Sequence, residues 1–556
     1  MPRAIKTEKR VSKWPARAAL FGLTLAAYMN SFWLGLAQDS KVILAQDTRL
    51  TAATADNLAL VFTKNYWWPL GGDGLYRPVT TLSFLFNYAV LGNARDAAGY
   101  HVVNFLLHAV NVWLLYELAL AIFRRAGPAF FAAAIWAVHP AGTEAVTSIA
   151  GRADLLAAMS VLGGLLLYVR GRGRWIPFVL FPVATLGVFA KENAAVLIGL
   201  MLLWDVSFRS KPRWREYTAV AASLVVLAIV RGVVLGNLAP YSPIYVDNPL
   251  RLGGFWTARW TAVRTVGSDL ALLLFPLTLV CDHSFDAIPL ASFSDPAAWT
   301  SLLSIIAILA YAIVRRRQDP AAFWAAGFFA IALLPTSNLL FLIGAALAER
   351  FLYLPAVAFT VILAALVYRL KNERIAKGVL IALLAVYTIR TVARNPAWDS
   401  DLSLASADLP HSARSFRLHT MMARALFEQD AVGDIDRAIA EQEAACLILA
   451  PLPPSRSISF PPTDLGRYYA VKADLVAPGE RTEWLEKARA TLLKAREISR
   501  ALEAEYDKVQ RARRPQSARR RPAIVPLPGG NRDQTGQLCR SRGGASLRSG
   551  AQSAHA

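Results

Sequence analysis

Long apolar runs recur along most of this chain, and they limit its fold more than any other feature. Runs of roughly 20 apolar residues, the length that a helix needs to cross a bilayer, follow one another between positions 18 and 393. Only 18% of the 556 residues are charged, whereas soluble domains carry about 25%. Because a lipid-exposed backbone must satisfy its own hydrogen bonds, the runs predict an all-α fold with a polytopic helical membrane domain over residues 1–393.

Basic clusters between the runs determine the predicted topology. The basic N-terminal segment and the run 18–37 are interpreted as an uncleaved first span whose N-terminus is cytoplasmic. Later Lys and Arg clusters alternate with loops poor in basic residues, as the positive-inside rule requires. The predicted spans are 18–37, 101–123, 127–148, 153–170, 175–190, 194–208, 217–236, 298–315, 321–341, 352–370 and 376–393.

This count places the long loop 38–100 and the C-terminal domain outside the cytoplasm, and it predicts a multi-pass protein of the inner (cytoplasmic) membrane with a periplasmic C-terminal domain. The region 237–297 leaves two alternatives. Residues 262–280 resemble a span, but a single crossing there would move the basic residues 315–317 outside. Either 262–280 is re-entrant and the total is about 11 spans, or a second crossing near 245–260 raises it to about 13.

The last third of the chain is different in character. Residues 394–506 are charged and amphipathic, and an i, i+4, i+7 spacing of small and larger side chains occurs twice. The two copies are Ala438, Gln442, Ala445 and Ala488, Leu492, Ala495. This spacing is typical of the second helix of a tetratricopeptide repeat, although any amphipathic helix can contain it. It predicts a small, degenerate repeat-like domain over 394–506.

The Arg-rich segment 507–556 has no apolar periodicity and contributes strongly to the net charge of +21. It is predicted to be a disordered, solvated tail rather than a nucleic-acid-binding arm. The three cysteines are far apart and form no metal or disulfide spacing.

A polar island interrupts the apolar sequence on the predicted outer face. It contains His139, Glu144, Arg152 and Asp154. Each ionisable group at membrane depth costs about 2.5–3.5 kcal/mol on insertion scales. A chain that keeps so many of them together either uses some of them or places them at a wet surface.

Other candidates fall on the same predicted face. Asp39, close after the first span, could act as a general base, but from its position alone an ordinary interfacial carboxylate is the better explanation. Arg77 lies in the loop motif Tyr76-Arg77-Pro78, and a guanidinium group can clamp a phosphate. His101 begins a polar stripe on one helix face, for which interhelical hydrogen bonding is at least as good an explanation as catalysis.

Two further pairs, Lys191-Glu192 and Glu349-Arg350, complete the set. Each of these groups alone could have an ordinary structural role. Because all of them fall on one predicted face of the membrane, the sequence favours a functional site. No metal site is predicted from the His and acid spacing, and a divalent metal is left open.

The order of several motifs resembles the transmembrane and tetratricopeptide repeat protein family, over roughly residues 18–450. The motifs are Tyr76-Arg77-Pro78-Val79-Thr80, Tyr100-His101, Ala137-Val138-His139-Pro140, Gly151-Arg152-Ala153-Asp154, Leu334-Pro335-Thr336, Ala348-Glu349-Arg350 and Arg394-Asn395-Pro396. The resemblance implies a GT-C fold and sugar transfer from a polyprenyl-phosphate donor, since animal members are linked to protein O-mannosylation from a dolichyl-phosphate sugar.

The resemblance also implies roles for residues. In the GT-C class an acid of the first outer loop is the proposed base; the family usually has paired acids there, and this chain has Gln38-Asp39. Asp39 is therefore the expected base of an inverting transfer to a protein or glycan hydroxyl, and Asp47 is the alternative. The expected substrate-binding residues are Tyr76, Arg77, His101, His139, Glu144, Arg152, Asp154, Lys191, Glu192, Glu349 and Arg350. The repeat-like domain would bind the acceptor or a protein partner.

Two other functions compete with the enzyme. The absence of an acid at Gln38 favours a non-catalytic membrane scaffold that recruits partners through the repeat-like helices. A transporter would require polar residues near mid-membrane and two-fold internal similarity, which the one-sided polar distribution does not favour.

Overall fold

A computed structural model describes residues 14–70, 74–236, 245–370 and 372–513 of the chain. The regular secondary structure of these residues is entirely helical, so the predicted all-α class is confirmed. The part predicted as a membrane domain contains α1 (Trp14–Tyr28), α2 (Asp39–Gln46), α3 (Ala55–Thr63), α4 (Pro78–Leu85), α5 (Ala97–Phe123), α6 (Ala126–Ala137), α7 (Thr143–Val146), α8 (Arg152–Arg170), α9 (Ile176–Ala190), α10 (Leu197–Phe208), α11 (Trp214–Leu235), α12 (Phe255–Leu274), α13 (Pro296–Arg315), α14 (Pro320–Leu333), α15 (Ala356–Val367) and α16 (Glu373–Arg394). The C-terminal part contains α17 (Asp401–Asp408), α18 (Phe416–Gln429), α19 (Ile435–Leu449), α20 (Phe460–Leu475) and α21 (Pro478–Arg513).

Five helical segments within the described residues are long and apolar enough to cross a membrane. They are Ala97–Phe123, Ile149–Arg170, Trp214–Leu235, Pro296–Arg315 and Arg374–Asp399. Shorter apolar helices occupy Ala126–Ala137, Ile176–Ala190, Pro320–Leu333 and Ala356–Val367. Each predicted span therefore coincides with a helix, although some of these helices are shorter than the apolar run that contains them.

Proline explains one early helix end. The predicted span 127–148 is helical only as far as Ala137, because His139 precedes Pro140 and has the extended backbone, with ψ 125°, that a residue before proline prefers. The same apolar run then continues as a 3-10 turn (Pro140–Gly142) and the short helix α7. This break places the polar side chains of the island beyond the end of α6.

Ion pairs show which helix ends meet at one end of the bundle. Glu117, late in α5, accepts a hydrogen bond from Arg17 near the start of α1 at 2.7 Å and also pairs with Arg170 at the end of α8. Close by in sequence, the Asp205 carboxylate accepts hydrogen bonds from the hydroxyls of Tyr168 and Tyr217. A carboxylate buried in an apolar bundle needs such partners, because an unpaired buried charge is strongly destabilising.

The opposite end of the bundle carries the polar island and is called the polar end below. There the Asn395 side-chain amide donates to the Ala27 carbonyl at 2.8 Å, which joins the end of α16 to the end of α1. Asn104, near the start of α5, donates to the carbonyl of Ser148 at 3.1 Å. Helices α1 and α16 therefore run antiparallel to α5 and α8, in the alternation that the basic clusters predict.

Helix α12 begins and ends beside the same connection between α14 and α15. Ahead of α12, the Asn248 amide donates to Asn338 Oδ1 at 2.9 Å, and Arg259 within it donates to the Asn338 carbonyl at 3.2 Å. Beyond its last residue, the Val280 N–H donates to Glu349 Oε1 at 2.5 Å. Because both ends remain at the polar end, this geometry favours the non-crossing alternative for 262–280.

The C-terminal helices α17–α21 form a separate hydrophobic cluster. Its alanines at the predicted repeat positions, Ala438, Ala445, Ala488 and Ala495, are all buried, whereas Leu492 is 42% exposed. Gln442 is fully buried, and its amide donates to the Pro461 carbonyl at 3.0 Å. Helix α21 continues to Arg513, past the predicted start of the tail, and the tail from 514 onward lies outside the described residues.

Candidate functional site

Three groups of ion pairs lie at the polar end. Glu144 pairs with Arg350, Asp154 pairs with Lys191, and Glu192 pairs with both Arg77 and Arg231. Their members come from the first long loop, the island, the α9–α10 turn, α11 and the α14–α15 connection. The tertiary fold therefore brings together charges that are far apart in sequence.

The pair of Glu144 and Arg350 joins two such connections. Glu144 is 1% exposed, and its carboxylate accepts one hydrogen bond from the Arg350 backbone N–H at 2.8 Å and another from Nη1 at 2.7 Å. The Arg350 side chain is still 33% exposed. Its guanidinium group is thus fixed on one edge and accessible on the other.

Lys191 follows the last residue of α9, where its N–H caps the helix by donating to the Gly187 carbonyl at 2.9 Å. Its ammonium Nζ lies 2.6 Å from Asp154 Oδ1. Burial lowers the pKa of Lys191; Asp154 opposes this shift, and the positive charges of Arg77 and Arg350 add to it. Three cations therefore lie close enough to influence one another.

Glu192 accepts hydrogen bonds from two guanidinium groups. Arg77 Nη2 lies 3.1 Å from Oε2, and Arg231 Nη1 lies 3.2 Å from Oε1. Burial alone would raise the pKa of Glu192, but the charges of Arg77 and Arg231 hold it below its usual value. Burial lowers the pKa of Arg77, but Glu192, Tyr66 and Asp154 together outweigh it, so the pKa is raised overall. One carboxylate between two arginines leaves a local excess of positive charge.

Asp39 differs from the paired acids Glu144, Asp154 and Glu192. It is the first residue of α2, its side chain is half-buried, and its negative charge acts on Arg350 and Tyr66. Within the described part of the chain, its carboxylate forms no hydrogen bond or ion pair. Asp47, the alternative acid, is engaged instead in a bidentate pair with Arg49 at 2.8 and 2.7 Å and is 7% exposed.

Several predicted binding residues are buried among protein groups. Arg152 is fully buried and donates to Asn104 Oδ1 at 2.8 Å, to Asn87 Oδ1 at 2.5 Å and to the Tyr100 carbonyl at 3.0 Å. Its guanidinium group therefore connects the π-helical turn after α4 to the starts of α5 and α8. It holds the polar end together and presents no accessible edge.

The two predicted histidines are also buried. His139 Nδ1 accepts from the Ala141 N–H at 3.2 Å, and Nε2 lies 3.1 Å from the Leu273 carbonyl, so both nitrogens are occupied. His101 Nε2 lies 3.3 Å from the Gly35 carbonyl. The His139 ring thus links the island to the end of α12, and the His101 ring links the start of α5 to the loop before α2.

Tyr76 and Glu349 complete the predicted set. The Tyr76 hydroxyl donates to the Phe62 carbonyl at 2.8 Å, and the side chain is 1% exposed. Glu349 accepts from Val280 through Oε1, and its other oxygen is buried with no hydrogen-bond partner among the described residues. Burial raises the pKa of Glu349 well above its usual value, which favours the neutral acid.

Three site residues were not predicted from the sequence. Arg231 lies within an apolar run, where an isolated arginine is itself a signal of function. The Phe351 ring lies 5.5 Å from Lys191 Nζ and 5.8 Å from the Arg350 guanidinium carbon, and the Tyr66 ring lies 5.4 Å from that of Arg77. No sequence pattern distinguishes these two aromatic residues from interfacial anchors.

An apolar groove of about 600 Å³ begins beside this charged cluster. It lies between α4, α5, α8 and α9, and apolar side chains form most of its lining. Val79 and Leu156, two residues beyond Arg77 and Asp154, line one part of it, and Arg170 and Gly171 line another. Over α8 alone the groove extends about 20 Å, at 1.5 Å per residue.

No three His, Cys, Asp or Glu side chains are grouped so that they could hold a metal ion, as far as the described residues extend.

The fold and the site together define an all-helical protein with membrane-length apolar helices and a charged, partly open cluster at one end. No protein-family model matches the chain. Among curated proteins, a protein O-mannosyl-transferase of Caenorhabditis elegans is 29% identical over 402 residues, which cover 69% of this chain and 56% of that relative. The protein O-mannosyl-transferase TMTC3 of Mus musculus is 26% identical over 452 residues, covering 73% and 48%.

The protein O-mannosyl-transferase TMTC4 of Homo sapiens is 28% identical over 418 residues, which cover 64% of this chain and 56% of the relative. The chain is thus a homologue of the transmembrane and tetratricopeptide-repeat protein family, as its motifs indicated. It spans about half the length of the curated relatives that it matches.

Proposed function

We propose that the chain is a membrane glycosyltransferase that moves a sugar from a polyprenyl-phosphate donor to a hydroxyl group of a protein or glycan. The names of the relatives make mannose the proposed sugar and a protein the preferred acceptor. The observation that carries the proposal is the Asp39 carboxylate, which has no hydrogen bond or ion pair among the described residues and whose negative charge helps to raise the pKa of Arg350 in the charged cluster. A carboxylate with no structural partner is available to accept a proton.

The apolar groove supports a lipid-linked donor. A polyprenyl tail is apolar and extended, and it would fit the groove between α4, α5, α8 and α9. Val79 and Leu156, which line this groove, lie two residues beyond Arg77 and Asp154. A phosphate at the head of the tail would therefore meet the cation cluster, which consists of Arg77, Lys191, Arg231 and Arg350. Arg350 has the most accessible side chain of the paired cations in this cluster, at 33%.

The reaction would be a single displacement. The acceptor oxygen attacks the anomeric carbon of the sugar as Asp39 takes the hydroxyl proton, and the bond from that carbon to the phosphate oxygen breaks with inversion. General-base assistance of this kind contributes about 10²–10⁴-fold. The polyprenyl phosphate leaves as an anion, which Arg77, Lys191 and Arg350 would stabilise.

Glycan transfer in isolated membranes tests the base. Asp39→Asn keeps the size of the side chain and removes most of its basicity, so transfer should fall by about 10²–10⁴-fold at equal protein level. Asp56→Asn is the matched control, because Asp56 is an exposed acid of the same loop. Unchanged transfer in Asp39→Asn, with mannosyl-phosphate polyprenol as donor, would remove Asp39 from the mechanism.

The proposal includes an orientation in the inner membrane. The N-terminus would be cytoplasmic, and the polar end and the C-terminal helices would face outward, so that the lipid-linked donor and a secreted acceptor meet there. Single cysteines on the C-terminal helices should react with an impermeant maleimide from the outside of spheroplasts.

Transfer that persists in EDTA would argue against a divalent metal as an additional partner of the phosphate.

A scaffold without catalysis is the second candidate, and Gln38 is the observation that favours it. The side chain at this first motif position donates to Cys281 Sγ at 2.9 Å and cannot act as a base. A scaffold would retain its cellular function in Asp39→Asn and lose it when residues 394–556 are deleted. An enzyme would lose function in both.

A further inference from the structure

The segment that carries Asp39 has a strained backbone. Gln38 has φ +50° and ψ −130°, in the half of conformational space that residues with a Cβ rarely occupy. Such a conformation persists only where surrounding contacts enforce it. Contacts with other parts of the protein must therefore hold Gln38, the residue next to the proposed base, in this backbone conformation.

The C-terminal helices supply that restraint. The Gln38 N–H donates to Asp401 Oδ1 at 2.7 Å, and the Gly35 N–H donates to Asp399 Oδ1 at 2.9 Å. Lys41 lies between Asp401, at 3.6 Å from its Oδ2, and Glu428. These contacts fix the segment before and after Asp39, but none of them reaches the Asp39 carboxylate itself.

Asp401 is itself rigidly placed. It is the first residue of α17, directly after Ser400, whose hydroxyl accepts from the Ser403 N–H while the Ser403 hydroxyl accepts from the Ser400 N–H. This capping box fixes the start of α17. Trp398, three residues before Asp401, is 2% exposed and anchors the same turn in a hydrophobic cluster with Ala37 and Leu404.

We infer that Asp401 is a positioning residue for Asp39, so that the C-terminal domain completes the active site and does not merely recruit the acceptor. The inference rests on the proposed function. Without the Asp401 carboxylate, the Gln38 N–H has no acceptor, and the peptide is free to return to negative φ. The Asp39 carboxylate is then no longer held at the position from which its charge acts on Arg350.

The first experiment compares three variants of the full-length protein in nanodiscs. Asp401→Ala should lower kcat by about 10–100-fold, as expected when a reacting group is misplaced by about 1 Å. The KM for the lipid donor should change little, because the cation cluster and the groove are untouched. Asp401→Asn keeps an oxygen acceptor for the Gln38 N–H and should retain most activity.

Asp436→Ala is the control. Asp436 lies in α19, is 71% exposed and pairs with Lys472, and it makes no contact with the segment 35–41. Hydrogen–deuterium exchange gives a readout that does not depend on activity. Peptides covering 35–41 should exchange faster in Asp401→Ala and remain unchanged in Asp436→Ala.

A second-site variant separates positioning from general damage. Glycine adopts φ +50° without a steric penalty, so Gln38→Gly in the Asp401→Ala background should recover part of the lost kcat. A purely structural loss would not be recovered in this way. The inference is overturned if exchange of 35–41 is unchanged in Asp401→Ala, or if exchange increases while kcat stays within twofold of wild type.

Failure of the proposed function has a different signature. In that case Asp39→Asn transfers as well as wild type, and the effect of Asp401→Ala on exchange appears without any effect on transfer. Loss of transfer in Asp39→Asn together with normal transfer in Asp401→Ala would instead preserve the proposed base and reject Asp401 as its positioning residue.

Discussion

The two ends of the helix bundle both contain buried acids, but they use them differently. At the end opposite the polar end, Glu117 is 4% exposed and pairs with both Arg17 and Arg170. At the polar end, Glu144, Asp154 and Glu192 are likewise paired, but Asp39 is not. A fully paired acid is explained by stability alone, whereas a half-buried acid without a partner needs another explanation. The comparison therefore separates the paired acids that hold the bundle from Asp39, whose carboxylate has no hydrogen bond or ion pair among the described residues.

The largest expected effect contrasts the two ends directly. Asp39→Asn should lower transfer by about 10²–10⁴-fold with little change in melting temperature. Glu117→Gln should do the reverse, keeping transfer and lowering the unfolding free energy by about 1–3 kcal/mol, because it removes the negative charge and one of the two acceptor oxygens that two arginines share. Transfer assays and thermal melts in the same detergent measure both. Equal losses of transfer in the two variants would abolish the distinction between the ends.

The next effect tests whether Arg350 does more than neutralise Glu144. Arg350→Gln should lower transfer by about 10²–10³-fold, the usual cost of removing one group that stabilises a developing anion. It also leaves Glu144 buried without its cation, so stability should fall as well. In the double variant with Glu144→Gln, stability should recover and transfer should not. Recovery of both would give Arg350 a structural role only.

A smaller effect concerns the apolar groove. Gly163 lines it, and a Cβ there would lie 3.8 Å from Leu114, so a larger side chain can be accommodated by filling the groove. Gly163→Leu should raise the KM for a long-chain donor by roughly tenfold, on the order of 1.4 kcal/mol. A water-soluble short-chain donor should be affected less. Gly22→Leu, at an exposed position of α1 with open space around it, is the control.

The smallest effect is on acid stability. The arginines hold the pKa of Glu192 below its ordinary value of 4.5, so its contribution to stability is complete above that pH. The contribution is lost as the pH falls through the lower folded-state pKa. Melts between pH 3 and 6 should therefore show a shallower acid decline in Glu192→Gln than in wild type. A parallel decline in both proteins would mean that the pairing adds no pH-dependent stability.

Most of the helices could be predicted from the sequence because run length and residue type are local properties. The antiparallel order of α1, α5, α6 and α8 follows from the alternation of basic loops. The end of α6 at Ala137 could not be predicted from hydropathy, since the apolar composition continues beyond the His139-Pro140 break. Hydropathy also could not decide whether α12 crosses the membrane, because its composition permits a crossing. The contacts of its flanking residues with the α14–α15 connection argue against one.

The candidate site was predicted in part. Glu144, Lys191 and Arg77 lie together at the polar end, as their shared predicted face implied. Arg152 and His139 occur in the same motifs, but their hydrogen bonds connect helices and loops within the protein. Whether a charged residue of a motif is accessible or enclosed depends on neighbours that the motif does not contain.

The sequence alone determined that this protein is helical and rich in membrane-length apolar segments, and it predicted that the candidate site residues share one face. These properties follow from composition and spacing over about 20 residues, the length of one membrane span. Only the tertiary structure decided which acid remains unpaired, because Glu144 finds its cation 206 residues away and Gln38 finds Asp401 363 residues away. Pairing is a long-range property, and among the described residues it leaves the Asp39 carboxylate without a hydrogen bond or ion pair.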